Sequence, residues 1–211
     1  MLASHQSYFL KQQDYIFMNN YKEQWNNYFE GGIAMWSYFG YEYHSYTIAK
    51  HVVCKLDMPT KGQLVQLGTG LGVTVELLAN KFGEERVDGY DLFNPLRHPR
   101  IKFLDMDKDL PPTMNLAYLD IDVGSMSHAR DQRKQLLNWA VYNMVEGGYI
   151  LTNKRLADEL KASIAFEIIN LDSFDIQELW SNPHETRINT KVLLKVTSSG
   201  LEKVDPYLQT R

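Results

Sequence analysis

A glycine-rich turn between an apolar strand and an amphipathic helix constrains the fold more than any other feature of the chain. Gly68, Gly70 and Gly72 directly follow the apolar segment 64–67. The next residues, 73–82, repeat apolar side chains at the spacing of one helical face. Glycine tolerates a positive φ in a tight turn and lets a ligand approach the backbone closely. A strand, a turn and a helix in this order predict the first unit of a parallel α/β sheet.

The rest of the chain alternates short apolar segments with amphipathic ones, as parallel sheets with helical crossovers do. The predicted strands are Leu64–Leu67, Arg86–Asp91, Ile101–Asp105, Leu116–Ile121, Gly148–Asn153, Phe174–Trp180 and Thr190–Thr197. Further helices are predicted over Ser127–Glu146, ended by Gly147 and Gly148, and over Arg155–Ile169. The connections 92–100 and 106–115 are short and contain prolines, so we expect no full helix in either of them.

Aromatic residues are concentrated at the start of the chain. Residues 1–46 contain eight Tyr, four Phe and two Trp of the chain's 13 Tyr, nine Phe and four Trp. We therefore divide the chain into an aromatic-rich N-terminal extension, residues 1–55, and one α/β domain, residues 56–211. We expect part of the extension, about Tyr28–Tyr46, to fold over the mouth of a site or a thin face of the sheet, excluding water with its large rings. The alternative is an ordinary helix that faces the core.

Composition excludes several classes of protein. The single cysteine, Cys54, rules out an intramolecular disulfide and any zinc site built from several thiolates. A net charge of −4 disfavours a dedicated nucleic-acid-binding protein. No apolar segment is long enough to span a bilayer, and the N-terminus lacks a secretory hydrophobic region, so we expect a cytoplasmic protein that does not enter membranes.

An acidic residue ends the second predicted strand and complements the glycine turn. Asp91 lies roughly 20 residues beyond Gly68, where the carboxylate can accept hydrogen bonds from both hydroxyl groups of a ribose. The helix N-terminus after the turn offers free N–H groups to an anionic group. A ligand that contains a nucleoside is therefore favoured over a purely structural turn.

The form of the turn distinguishes between nucleoside ligands. Dinucleotide sites favour G-x-G-x-x-G, but Val73 occupies the place of the third glycine and the chain has G-x-G-x-G instead. Together with Asp91, the glycine pair 147–148 and a final pair of strands, this turn resembles the class I S-adenosylmethionine-dependent methyltransferases over about residues 63–197. The resemblance implies a Rossmann-like, seven-stranded, mostly parallel sheet whose last strand is antiparallel. It also implies S-adenosylmethionine as the cofactor and methyl transfer as the activity.

The resemblance assigns cofactor contacts residue by residue. They fall on Gln66, Gly68, Thr69, Gly70, Gly72, Asp91, Leu92, Asp107 and Asp120. In this assignment Asp91 binds the ribose, Leu92 packs on the adenine, and Asp120 lies beneath the amino group and the sulfonium. Asp105 is an alternative to Asp107 as the partner of the adenine amino group. The family often has an acid where this chain has Gln66, which supplies no charge.

Catalytic residues are harder to identify, because methyl transfer depends mainly on holding the nucleophile and the methyl carbon in line. Asp120 and Lys154 resemble the Asp and Lys of RNA 2′-O-methyltransferases, but the glutamate of that family is missing near Lys191. The alternative for Lys154 is a solvated lysine at the start of a helix. Asp120 and Asp122 invite a metal ion, yet the basic pair 154–155 disfavours one, so we predict no metal.

We therefore predict an S-adenosylmethionine-dependent methyltransferase whose methyl acceptor is a small molecule rather than RNA. The sequence leaves open a homodimer and does not name the acceptor. Two alternatives remain: a non-catalytic domain that keeps the fold, suggested by Gln66, and a NAD(P)-dependent oxidoreductase, disfavoured by Val73.

Overall fold

The computed structural model describes part of the chain. The described segments contain seven strands and four α-helices. The described residues are 45–92, 94, 97–121, 130–160, 165–171 and 191–197. The strands are β1 Gln63–Leu67, β2 Val87–Asp91, β3 Ile101–Phe103, β4 Leu116–Ile121, β5 Met144–Asn153, β6 Phe166–Ile169 and β7 Lys191–Val196. The helices are α1 (residues 45–51), α2 Val73–Phe82, α3 Arg130–Asn143 and α4 Lys154–Leu160, with 3₁₀ turns at Val53–Lys55 and Glu84–Arg86.

All seven strands form one sheet in the order β3-β2-β1-β4-β5-β7-β6. Strands β1 to β5 pair in parallel, whereas β7 is antiparallel to both β5 and β6. The predicted fold class, a mostly parallel Rossmann-like sheet with an antiparallel last strand, is confirmed. Strand order runs in opposite directions on the two sides of the β1–β4 pair, and ligands of open α/β sheets bind at such a reversal.

Each face of the sheet packs against two helices. Ile48 of α1 and Leu78 of α2 belong to one buried cluster, on the face that we call the α1–α2 face. Leu136 of α3 and Leu160 of α4 belong to the other cluster, on the α3–α4 face. Strand β4 lies between them and is buried along its whole length. This explains its continuous apolar sequence, which is typical of a strand covered on both sides.

The end of α3 differs from the sequence-based expectation. We expected the helix to reach Glu146 and to stop at Gly147, but it ends at Asn143 and β5 begins at the next residue. The Asn143 amide donates to the Trp139 carbonyl at 2.7 Å, and its oxygen accepts from the Met114 backbone at 2.6 Å. The apolar residues that follow pair with β4 instead of extending the helix, and Gly147 lies inside β5 with a φ of 74°.

Strand β6 lies within a segment predicted as a helix. Phe166–Ile169, predicted as the end of that helix, pairs antiparallel with β7, so the helix prediction is wrong over these four residues. The strand predicted at Phe174–Trp180 lies outside the described residues. Because β6 is half exposed, with Ile168 56% accessible, its apolar pattern lacks the strict alternation of a buried strand.

The β3–β4 connection contains no helix, as its prolines predict. Three side chains of α3 hold it instead: Gln132 donates to the Asp109 carbonyl at 3.2 Å and Trp139 to the Pro112 carbonyl at 3.2 Å, alongside the Asn143 contact. These bonds satisfy polar backbone groups that a crossover helix would otherwise pair.

The extension predicted for residues 1–55 is described only from residue 45. Ile48, Ala49, Val52 and Val53 are fully buried in the cluster of the α1–α2 face. The last part of the predicted extension is therefore integral to the core. No helix in the described ranges has the length and apolarity required to cross a membrane.

Replacing Tyr118 by phenylalanine is expected to leave the free energy of unfolding at pH 7 unchanged or to raise it by up to about 1 kcal/mol. The ring is fully buried on β4, and its hydroxyl has no hydrogen-bond partner among the described residues. Burial, and then the charge of Asp120, raise the Tyr118 pKa well above its usual value. The folded state thus keeps a proton that the unfolded state loses above about pH 10, so stability falls as the pH rises further.

Denaturant titrations at pH 7 and in the alkaline range measure both effects. The Tyr118→Phe variant should lose less stability above pH 10 than the natural chain, whereas Tyr142→Phe, which changes a ring 69% exposed, should not. A loss of more than about 1 kcal/mol at pH 7 would mean that the Tyr118 hydroxyl is bonded.

Candidate functional site

Five strands place a polar or charged residue at the carboxyl edge of the parallel strands, on the α1–α2 face. The five are Asp91 of β2, Gln66 of β1, Asp120 of β4, Asn153 of β5 and Lys191 of β7, and we call them the polar row. Register defines the row, because Gln66 pairs with Asp120 and Asn153 pairs with Lys191. The positions of the other residues in the row follow from the alternation of side chains along each strand, since every second side chain lies on the same face. Asn153, for example, lies two residues after Leu151, which pairs with Asp120. Such an edge at a strand-order reversal is the usual place of a ligand in this architecture.

The glycine turn joins β1 to α2 beside this row. All three glycines have a positive φ: 77° at Gly68, 58° at Gly70 and 88° at Gly72. Gly68 is exposed, and a side chain added there would have no neighbour within 4 Å in the part of the chain that the structure describes. A conformation that favours glycine, next to an open approach, suits a backbone that a ligand contacts directly.

Asp91 is joined to the glycine turn by hydrogen bonds. Its Oδ2 atom accepts from the backbone N–H of Gly70 at 2.9 Å and from the Thr69 hydroxyl at 3.5 Å. Thr69 itself is fully buried and fits against Gly89 of β2, where an added side chain would lie 2.5 Å from the Thr69 methyl group. The Thr69 side chain therefore supports the turn from within the fold.

Gly72 has a different role from Gly68. A side chain there would lie 2.8 Å from Ile101 and 3.3 Å from the ring of His98, in the loop between β2 and β3. Asn94 holds this loop, donating to the His98 carbonyl at 2.9 Å and accepting from the His98 backbone at 2.7 Å. The His98 ring contacts Glu76 of α2 at 3.3 Å. The third glycine thus lets the loop pack against the turn.

A buried hydrogen bond joins the two central strands of the row. Gln66 is 2% exposed and Asp120 is 1% exposed, and the Gln66 amide nitrogen donates to Asp120 Oδ2 at 3.2 Å. An ionised carboxylate only accepts, so it fixes which end of the amide faces it. The Gln66 oxygen is left buried without a donor among the described residues. A buried acceptor without a hydrogen bond destabilises the folded state unless a ligand or a water molecule donates to it.

The residues assigned to the adenine differ in their exposure and in whether their side chains already form hydrogen bonds. Leu92 is 42% exposed just beyond Asp91. Asp105 is bonded within its own turn, accepting from Lys108 Nζ at 2.6 Å and from the Asp107 backbone at 3.2 Å. The Lys108 ammonium lowers the Asp105 pKa. Asp107 is exposed.

Lys154 and Asn153 occupy the end of β5. Lys154 is exposed at the first position of α4, as expected for a solvated helix-start lysine. The Asn153 side chain accepts from the Leu156 backbone at 3.0 Å, which caps the helix. Asp122 lies outside the described residues, and within them no cluster of His, Cys, Asp or Glu has the arrangement of a metal site.

Sequence analysis did not identify Gly89, Asn94 or His98 as parts of the site. Gly89 is the one of these with a visible signal, since glycine weakens a strand interior and often marks a close approach. Asn94 and His98 lie in the connection 92–100, for which the sequence predicted only that it contains no full helix. Their contacts depend on the β2–β3 pairing, which brings together residues without any sequence pattern.

Comparisons with known proteins bear on the fold. No family model matches the chain, and no curated protein matches it by sequence. Solved structures do match. A TehB-like S-adenosylmethionine-dependent methyltransferase from Corynebacterium glutamicum has a TM-score of 0.50 at 15% identity, covering 86% of this chain and 98% of that chain. A complex of the Haloferax volcanii Trm112 methyltransferase activator with a methyltransferase gives a TM-score of 0.50 at 17% identity, covering 76% of this chain and 93% of that chain.

These similarities, at 15% and 17% identity, concern the fold. The chain has the fold of the class I S-adenosylmethionine-dependent methyltransferases.

Proposed function

We propose that this protein is a methyltransferase that uses S-adenosylmethionine. The observation that carries the proposal is the pair of carboxylates, Asp91 and Asp120, on either side of an open glycine turn at the strand-order reversal. When bound, the cofactor supplies an electrophilic methyl group on a positively charged sulfur. The two acids suit the two polar ends of such a molecule, its ribose hydroxyls and its cationic groups.

The residues around the turn fit this cofactor. Gln66 offers a buried oxygen for which the described residues supply no donor, and an ammonium group is a donor of the required kind. The open position at Gly68 leaves space for a ligand to approach the backbone. Gly70 lies between this space and Asp91 and fixes one carboxylate oxygen. The Gln66 oxygen and the space at Gly68 support the proposal that S-adenosylmethionine binds here.

On the adenine side we assign Leu92 to pack against the ring and Asp107 to bind its amino group. The turn of Asp105 already engages both of its oxygens, which favours Asp107 over Asp105. Leu92 follows Asp91 and is partly exposed, so its side chain is accessible to a flat ligand.

For the chemistry, we assign Asp120 to stabilise positive charge beside the reacting centre, and the strand edge to hold the acceptor in line. A general base is needed only for an acceptor that loses its proton early. Lys154 remains a candidate for that task because it follows β5 at the same edge, although its exposure leaves the ammonium strongly solvated. We propose a small molecule as the acceptor.

The first test is calorimetry with S-adenosylhomocysteine, NAD and NADP. We expect binding of S-adenosylhomocysteine and neither dinucleotide. Transfer of labelled methyl groups to a broad panel of acceptors then separates an enzyme from a non-catalytic domain with the same fold. Dinucleotide binding in place of S-adenosylhomocysteine would contradict the proposal.

Asp91→Asn is expected to weaken S-adenosylhomocysteine binding by about 1–3 kcal/mol, because it removes the charge that strengthens the ribose hydrogen bonds. Asparagine keeps an acceptor for the Gly70 backbone, so the turn should persist. The matched control is Asp88→Asn in the same strand, whose carboxylate pairs with Lys102 at 2.7 Å on the other face. Equal affinities of the natural chain and the Asp91 variant would refute the ribose assignment.

Asp120→Asn is expected to weaken binding of S-adenosylmethionine more than that of S-adenosylhomocysteine, changing their affinity ratio by about 3–10-fold. The two ligands share an ammonium group and differ in the sulfonium charge, so the ratio isolates the attraction between Asp120 and the sulfonium. Asp105→Asn, at the turn after β3, serves as the control. A ratio that stays constant would exclude Asp120 from contact with the sulfonium.

We also propose that residues 1–44 cover the cofactor. The support is their aromatic content and the position of α1, which follows them and packs on the face that carries the polar row. A chain that begins at residue 45 retains Ile48 and Val52, so it keeps the core contacts of α1. Calorimetry should show weaker S-adenosylhomocysteine binding by this shortened chain. Unchanged affinity and thermal stability would refute the cap.

A further inference from the structure

Phe103 ends the edge strand β3 and is the most exposed large apolar side chain among the described residues, at 73%. Ile101 lies two positions earlier on the same face of the sheet and is only 6% exposed. The glycine turn covers Ile101, since a side chain added at Gly72 would lie 2.8 Å from it. On the α1–α2 face, the beginning of β3 is therefore covered and its carboxyl end is exposed.

The register places Phe103 beside the acid of the glycine turn. Phe103 pairs with Asp91 in the β2–β3 ladder, so the two residues lie at the same height on neighbouring strands and share the α1–α2 face. Adjacent strands are about 4.8 Å apart. The exposed ring therefore borders the carboxylate that we assigned to the ribose.

The charged residue of β3 is directed away from this position. Lys102 alternates with Phe103 and lies on the α3–α4 face, where its ammonium group contacts Asp88 at 2.7 Å and lies 5.7 Å from the centre of the Tyr90 ring. The described part of the β2–β3 connection contains no helix that could cover the other face. The end of β3 thus presents an aromatic ring, and not a charge, next to Asp91.

The chemical structure of the proposed cofactor matches the order of the strands. Its sulfur is attached to C5′ of the ribose and its base to C1′, so the amino-acid part and the base extend from opposite sides of the ring oxygen. We assigned the sugar to β2 and the cationic part to the side chains of β1 and β4, and β3 lies on the other side of β2. The base then extends toward β3, where Phe103 lies.

We infer that Phe103 is a specificity-determining residue of the cofactor site, whose ring forms a stacking surface for the base at the exposed end of the edge strand. This inference rests on the proposed function and adds a contact that the resemblance to methyltransferases does not assign. Stacking of a base on one aromatic side chain strengthens binding by about fivefold or more. The alternative is a single apolar residue on the surface without a ligand.

The test compares two ligands that differ in the base. S-adenosylhomocysteine carries adenine, whereas S-ribosylhomocysteine has the sugar and the amino-acid part without it. Calorimetry on the full chain should show that S-adenosylhomocysteine binds about tenfold or more tightly than S-ribosylhomocysteine. The ratio of the two affinities isolates the contribution of the base.

Phe103→Thr should lower this ratio by about fivefold or more, because it removes the ring and keeps a residue that suits a strand. Phe103→Trp retains a flat ring and should keep the ratio. The matched control is Ile168→Thr, which changes a 56% exposed apolar residue in β6, the opposite edge strand, and should also keep it. Thermal melts of all three variants should stay close to that of the natural chain, since both positions are exposed.

Nuclear magnetic resonance gives a direct readout of the contact. In a chain with labelled phenylalanine, the ring signals that disappear in Phe103→Thr belong to Phe103. Bound S-adenosylhomocysteine should show cross-relaxation between these ring protons and the protons of the adenine.

Three results would overturn the inference. They are a ratio that survives Phe103→Thr, a ratio that Phe103→Trp lowers as much as Phe103→Thr does, and the absence of contact between the ring and the base. A dimer that dissociates in Phe103→Thr, with the ratio unchanged, would assign the ring to a contact between two copies of the chain.

Failure of the natural chain to bind S-adenosylhomocysteine would instead refute the proposed function. Adenosine alone, which carries the base and the sugar, then tests the stacking surface separately. Contact between adenosine and the Phe103 ring would support it, and absence of that contact would overturn it.

Discussion

The hydrogen bond from Gln66 to Asp120 spans the two strands between which the order of the sheet reverses, and the candidate site is organised around it. Both side chains are almost fully buried, so the hydrogen bond between them lies out of contact with solvent. A second carboxylate at Gln66 would place like charges together, and one of them would have to take up a proton. Because the Gln66 amide is neutral, Asp120 has no like charge beside it on β1. The Gln66 amide oxygen has no donor among the described residues and can accept from a ligand.

The polar row extends this arrangement outward in both directions. On one side, Asp91 binds the Gly70 backbone, so the acid and the turn hold each other in position. On the other side, Asn153 ends β5 and caps α4, and Lys191 opens β7. Among the described residues of the row, the carboxylates lie on β2 and β4 and the lysine lies on β7.

The sequence predicted the elements whose signal is local. The turn at Gly68 and the acid at Asp91 are recognisable because strand, glycine and helix follow one another directly. The sequence did not predict where α3 ends, because Asn143 stops that helix through a bond to Met114, which is distant in the chain. It also predicted a helix where β6 lies, an edge strand half exposed to solvent, in which apolar residues do not alternate strictly. The periodicity of apolar residues does not reveal contacts between residues that are distant in the chain.

The three glycines of the turn are alike in sequence but not in what they permit. A side chain at Gly68 would meet none of the described residues, whereas one at Gly72 would meet Ile101 of β3 and His98 of the β2–β3 loop. The turn and the β2–β3 loop are therefore one exchangeable unit. A chimera that receives this glycine turn from another protein, without the matching loop, would inherit a mismatch at Gly72 although the grafted motif looked complete.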